Sequence, residues 1–149
     1  MKNNLIYSNY DNETGVSKVI IENKYGIFED VALLHPEDKI YESNFFGCQI
    51  AEARCMIQTR KAQIEEINFK IKTLQTFENV LKNSKHYNPQ SFECRKLRKQ
   101  IYLLNKEKQD LLHTIQKIKE NIVNSETKRR TMLQKIHAVG LLNTEDKND

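Results

Sequence analysis

The sequence predicts an α+β protein: a short N-terminal antiparallel β-hairpin or small sheet, followed by a long antiparallel two-helix coiled-coil hairpin that assembles into oligomers. Three observations predict it. Two runs rich in β-branched residues flank the turn Lys24-Tyr25-Gly26. Apolar residues then recur at heptad spacing from Ile50 to Ile136, broken at Asn88-Pro89. The 149 residues hold four glycines and two prolines, so turns are few and elements long.

Residues 1–16 carry no clear pattern and are expected to be flexible. Residues 17–42 form the small β region. Ser17 to Asn23 reads as one strand and Ile27 to Leu34 as a second. Two strands alone are marginal in water, so the hairpin needs a helix or another chain over one face. His35-Pro36-Glu37-Asp38 is a loop, because proline lacks a donor and holds the preceding residue out of the helical region.

Residues 43–138 form the helical hairpin, with Ser43 as the expected N-cap of its first helix. Ile50, Ile57, Ile64 and Ile71 recur every seven residues, and Ala53, Ile67, Leu74 and Leu81 fill the companion positions. Arg60 falls on this seam. The helix is expected to end near Ser84, with the connection over residues 84–90. Asn88 is the expected cap of the second helix and Pro89 its first residue. That helix carries Leu97, Ile101, Leu104, Leu111, Ile115, Ile118 and Ile122 on one stripe, interrupted by Lys108. Beyond Ile122 the stripe meets Ser125 and Arg129, so packing should loosen there. Gly140 is the expected stop, and residues 139–149 a flexible tail.

Composition narrows the class. Hydrophobic residues make up 38% and charged residues 30%, with no tryptophan; this suits long helices that bury one stripe each more than a deep globular core. The length suits one domain. No run of ~18 apolar residues exists to span a membrane, and the first residues, MKNNLIYSNYDNETG, lack the apolar core of a signal peptide. Cys48 and Cys55 lie ~10 Å apart along a helix, too far for a disulfide, so reduced thiols in a cytoplasm are expected. Phe45, Phe46, Phe69, Phe77, Tyr102, Leu103 and Leu112 exceed what one hairpin can hide. Their excess argues for homo-oligomers.

Catalytic patterns are absent from the sequence. No glycine-rich phosphate loop occurs, the four histidines are scattered, and no serine or cysteine sits in a nucleophile motif. No enzyme, cofactor or metal site is expected. Charge is more informative. Net charge is +4, but between Lys82 and Lys108 eight cations face only Glu93 and Glu107. The plain explanation is a solvated helix face; the sharper one is an anion site. A second basic cluster is Lys128-Arg129-Arg130. Around the inter-helix connection lie Phe77, Tyr87, Asn88, Phe92, Arg95 and Arg98. Phe92, Arg95 and Arg98 are spaced i, i+3 and share a helix face. Aromatic rings stack on bases, an amide can read an adenine edge, and arginine grips phosphate. Equally, Phe77 and Phe92 could serve only to staple the hairpin tip.

KYGIF, then LHPED, then FFGCQIAEAR, a long helix, and YNPQSFECRKLRKQIY occur in that order. This succession resembles the Thoeris anti-defence sponge family of bacteriophages, over about Ser17 to Ile136. The resemblance implies a non-enzymatic protein, acting in the host cytoplasm during infection, that sequesters cyclic ADP-ribose isomers and, in some members, cyclic oligonucleotides. It implies pockets between protomers of a dimer or a dimer-based hexamer. Carried over, Phe77 and Asn88 (or Tyr87 in its place) would meet the adenine, and Arg95, Arg98 and Arg54 the phosphates. In an antiparallel dimer Tyr25, Phe28 and His35 would close the pocket. Two rival readings stand beside it. One is a basic nucleic-acid-binding phage protein, opposed by the modest overall charge and the lack of a groove-reading motif. The other is a structural or inhibitory coiled-coil interaction module.

Overall fold

The computed structural model describes residues 2–33 and 44–147, and within its helices the side chains of residues 46–136, 138 and 139. The elements are β1 (Asn4–Asp11), β2 (Val16–Asn23), β3 (Gly26–Leu33), α1 (Asn44–Lys82) and α2 (Phe92–Lys147). A three-stranded antiparallel sheet thus precedes two long helices, the α+β layout the sequence predicts. The chain divides into two units, Met1–Met56 with Lys117–Asp149, and Ile57–Gln116.

In the first unit β2 is the central strand, flanked by β1 and β3. Strand β1 lies within the stretch expected to be flexible. It is joined to β2 through a turn in which Asp11 Oδ1 accepts the Glu13 amide at 2.9 Å and Asp11 O accepts the Gly15 amide at 2.7 Å. Gly15 closes this turn at φ 73°, a left-handed conformation that a side chain would strain. The Glu13 amide, and secondarily Thr14, hold the Asp11 carboxyl below its usual range. Strands β2 and β3 fall within a residue of their expected positions. Side chains alternate across the pleat, which sends Ser17, Val19, Ile21 and Ala32 inward. Val19, Ile21 and Ala32 pack with Ile50, Ala51 and Cys55 of α1, and Phe28 and Phe46 lean on this cluster.

Polar atoms of α1 fasten it to the sheet. Arg54 Nη1 donates to Val31 O at 2.6 Å, and the Cys55 thiol donates to Val19 O at 3.5 Å and Phe28 O at 3.6 Å. Burial, followed by the nearby Asp30 charge, pushes the Cys55 thiol up to about 11. It is a packing group, not a nucleophile. The expected cap Ser43 lies outside the described residues.

The second unit holds the hairpin connection. Ile57, Ile64, Ile67 and Ile71 of α1 are buried, as are Cys94, Leu97 and Ile115 of α2. From Ile64 onward burial on α1 narrows to the single stripe that heptad spacing predicts. The start of α2 differs from expectation. Ser91, not Asn88, caps it, with Ser91 Oγ accepting the Cys94 amide at 3.3 Å. Asn88 instead forms a turn, its Oδ1 accepting the Gln90 amide at 2.9 Å. Both residue types suit a cap, but Pro89 lies inside that turn and the helix begins only at Phe92. At its far end α2 runs past Gly140 to Lys147. Gly140 is not among the glycines with positive φ, and no proline follows to stop a stretch rich in helix formers.

Arg60 is half-buried at a seam position, its Nη1 donating to Gln63 Oε1 at 2.8 Å while its Nε has no hydrogen-bond partner. A buried donor left unpaired costs about 1–3 kcal/mol. Arg60→Leu, which removes that donor and supplies the residue a seam prefers, is expected to raise stability by about 1 kcal/mol. Urea denaturation of the two proteins checks this; an unchanged or lower midpoint would place Arg60 in an interaction that favours the folded chain.

Candidate ligand site

The candidate ligand-binding residues fall in two different units. Phe77, Tyr87, Asn88, Phe92, Arg95 and Arg98 belong to the Ile57–Gln116 unit, whereas Tyr25, Phe28 and Arg54 belong to the other. His35 lies outside the described residues.

At the hairpin tip the aromatic side chains are exposed: Phe77 by 56%, Tyr87 by 37% and Phe92 by 67%. None of the three is taken up by the seam. Large apolar rings left this open at one end of a hairpin offer stacking surface. Arg95 is exposed on the first turn of α2, one turn from Phe92. Arg98 is committed locally: its Nη2 donates to Pro89 O and its Nε to Cys94 O at 3.4 Å. It therefore braces the connection against the helix, with donors left over on the guanidinium. Lys82 is held protonated mainly by a hydrogen bond to Glu78, at 2.9 Å, with the Tyr87 hydroxyl adding to the effect and Arg98 opposing it. Glu78 is thus the counter-charge beside the tip. Among the rest of the cations from Lys85 to Lys108 the sequence places only Glu93 and Glu107 as acids.

The first-unit candidates have structural tasks of their own. Tyr25 sits in the β2–β3 turn with the Lys24 ammonium 5.2 Å from its ring centre. Phe28 points inward onto the core cluster, and Arg54 ties α1 to β3 through Val31 O.

Two concavities escaped the sequence reading. One, of about 310 Å³, lies in the first unit between Phe46, Ala53 and Met56 of α1 and Asn121, Ile122 and Ser125 of α2. Its signal was present: Ala53 and Ser125 are small residues at seam positions. The other, of about 490 Å³, lies in the second unit beside Phe69, Thr73, Gln100 and Leu103. Among the described residues no group of three His, Cys, Asp or Glu could hold a metal ion, and no helix is long and apolar enough to cross a membrane.

Comparison of the chain with protein-family models, with characterised proteins and with solved structures finds no match in any of the three.

Proposed function

We propose that this chain binds a small cyclic nucleotide of the cyclic ADP-ribose class and holds it without cleaving it, so that the molecule is withdrawn as a signal. The observation that carries this reading is the hairpin tip, where Phe77 near the end of α1, Tyr87 in the connection and Phe92 at the start of α2 are all exposed, within or just before a run of sequence rich in cations. Stacking surface plus arginine is what an adenine-bearing, doubly anionic ligand needs. The resemblance to the Thoeris anti-defence sponge family supports the same reading, and with it a role in the host cytoplasm during phage infection, for cyclic ADP-ribose isomers first and cyclic oligonucleotides second. Holding the ligand involves no chemical step, so it is released intact.

Self-association belongs to the proposal. Phe69 is 72% exposed, Tyr102 66% and Leu103 50%, apolar surface of the second unit that a partner protomer would cover. The same surface favours the second reading, a coiled-coil module whose only work is protein interaction.

The test is incubation with a cyclic ADP-ribose isomer, removal of free ligand, heat release and mass spectrometry, beside light scattering of the protein alone. Recovery of the intact cyclic molecule from an oligomer is expected. Linear ADP-ribose above the protein-free control would show an enzyme. An oligomer that retains nothing would leave the interaction module standing.

A further inference from the structure

We infer that the first unit contains a separate binding site for a small planar heteroaromatic ring carrying an anionic group, seated in the cavity between the start of α1 and the middle of α2. The site is independent of the hairpin tip, and all its residues lie in one unit.

The cavity exists because the seam changes character there. In a well-packed pair of helices each seam position carries a branched apolar side chain. Here Ala53 contributes one carbon beyond its backbone on α1, and Ser125 replaces an apolar residue on α2, leaving about 310 Å³. That is far more than a buried water occupies and sits at the lower end of small-molecule sites. The space is a groove open to solvent on one side, so a ligand can enter it without the helices parting.

The lining specifies the occupant. Phe46, Met56 and Ile122 supply a ring face, a polarisable thioether and a branched wall, a setting for a flat ring. Gln49, Asn121 and Ser125 stand at the rim. They make no hydrogen bond among the described residues, so two carboxamides and a hydroxyl remain to meet the ring's polar edge. Charge settles the remainder. The Arg129 guanidinium lies 4.8 Å from the Phe46 ring centre, and Arg129 is one helical turn beyond Ser125. Lys128 and Arg130 flank it in sequence, and both are exposed. The exposed Lys128 and Arg130 supply the positive charge there, which favours a ligand that is aromatic inside and negative at the mouth. The second basic cluster of the sequence thereby acquires a use that the hairpin tip does not supply.

Adenosine monophosphate is the probe, with adenosine and ribose 5-phosphate as its two halves, each titrated calorimetrically into the full chain. One saturable site is expected for the monophosphate, with each half bound at least tenfold more weakly. Ala53→Leu fills the cavity from α1 and Ser125→Leu from α2; each is expected to weaken the monophosphate at least tenfold. Both should leave retention of a cyclic ADP-ribose isomer at the tip unchanged, and the two variants guard against a single failure to fold. Absence of monophosphate binding at millimolar concentration, or affinity unchanged in both filled variants, overturns the inference. If affinity falls in Arg95→Ala instead, the monophosphate sits at the tip: the cavity site is then wrong and the tip reading stands. A shift from oligomer to monomer in the filled variants would assign the cavity to a side chain of a second copy and equally overturn it.

Discussion

Gly47→Ala is expected to destabilise the protein by about 1–2 kcal/mol net, against the direction that helix propensity predicts. Gly47 lies inside α1, where alanine would ordinarily add ~1 kcal/mol. A Cβ at this position, however, would stand 2.1 Å from Ser17 Oγ and 3.0 Å from Ser17 Cβ. Ser17 is 2% exposed on the central strand, so its Cβ cannot retreat unless β2 moves, and β2 is held on both sides by its neighbours. The hydroxyl can rotate away; the Cβ cannot. Glycine is therefore required by the close approach of α1 to β2. Denaturant melts of Gly47→Ala, Ser17→Gly and the double variant form the test. The double variant should recover most of the loss, giving a coupling energy well above the ~0.3–0.5 kcal/mol at which independent sites add. Full stability of the single variant would mean that the helix does not approach the strand so closely.

The same contact shows what the sequence could convey. A glycine in FFGCQ is visible in the sequence, but glycine within a helix has several explanations, and only the register of β2 under α1 selects one. The seam was legible because heptad spacing is a local pattern: Ile50, Ile57, Ile64, Ile67 and Ile71 are all buried. Strand β1 was not, because seven of its eight residues are exposed and it holds two Asn and one Asp, so neither alternation nor composition marks it. The stronger clue was the turn after it, where Asp11 and Gly15 bracket three residues ahead of a β-branched run. The start of α2 was misread because Asn88 and Ser91 are equally good caps, and only the turn through Pro89 separates them. At the candidate site, residue types were readable and their commitments were not. Arginine spacing alone treats Arg95 and Arg98 as equivalent, and nothing local reveals that Arg54 is engaged by Val31 O. The cavity was half legible: Ala53 and Ser125 are visible as small residues at seam positions, but nothing local pairs two residues so far apart in the chain.

That inequality between the two arginines yields the sharpest test of the hairpin tip. Arg95→Ala is expected to weaken a cyclic ADP-ribose isomer by about tenfold to a hundredfold, the loss of one charge-assisted contact of about 1.5–3 kcal/mol. Arg95 is exposed and off the buried stripe, so its melting temperature should stay with the parent. Spacing alone assigns Arg98→Ala the same profile. The structure separates them, because the Arg98 guanidinium holds Pro89 O and Cys94 O. Its removal frees the connection as well as a ligand contact, so affinity and stability should fall together, the stability by about 0.5–1.5 kcal/mol. Arg98→Lys keeps the charge but not the two-pronged geometry, and should recover less than half of either loss. Calorimetric titration and thermal melts on the same preparations resolve the cases. Unchanged affinity in Arg95→Ala and Arg98→Ala alike would reduce the basic run to a solvated face. A stability loss at Arg98 without any loss of affinity would leave it a brace for the turn, with the exposed rings at the tip serving a protein partner in place of a nucleotide.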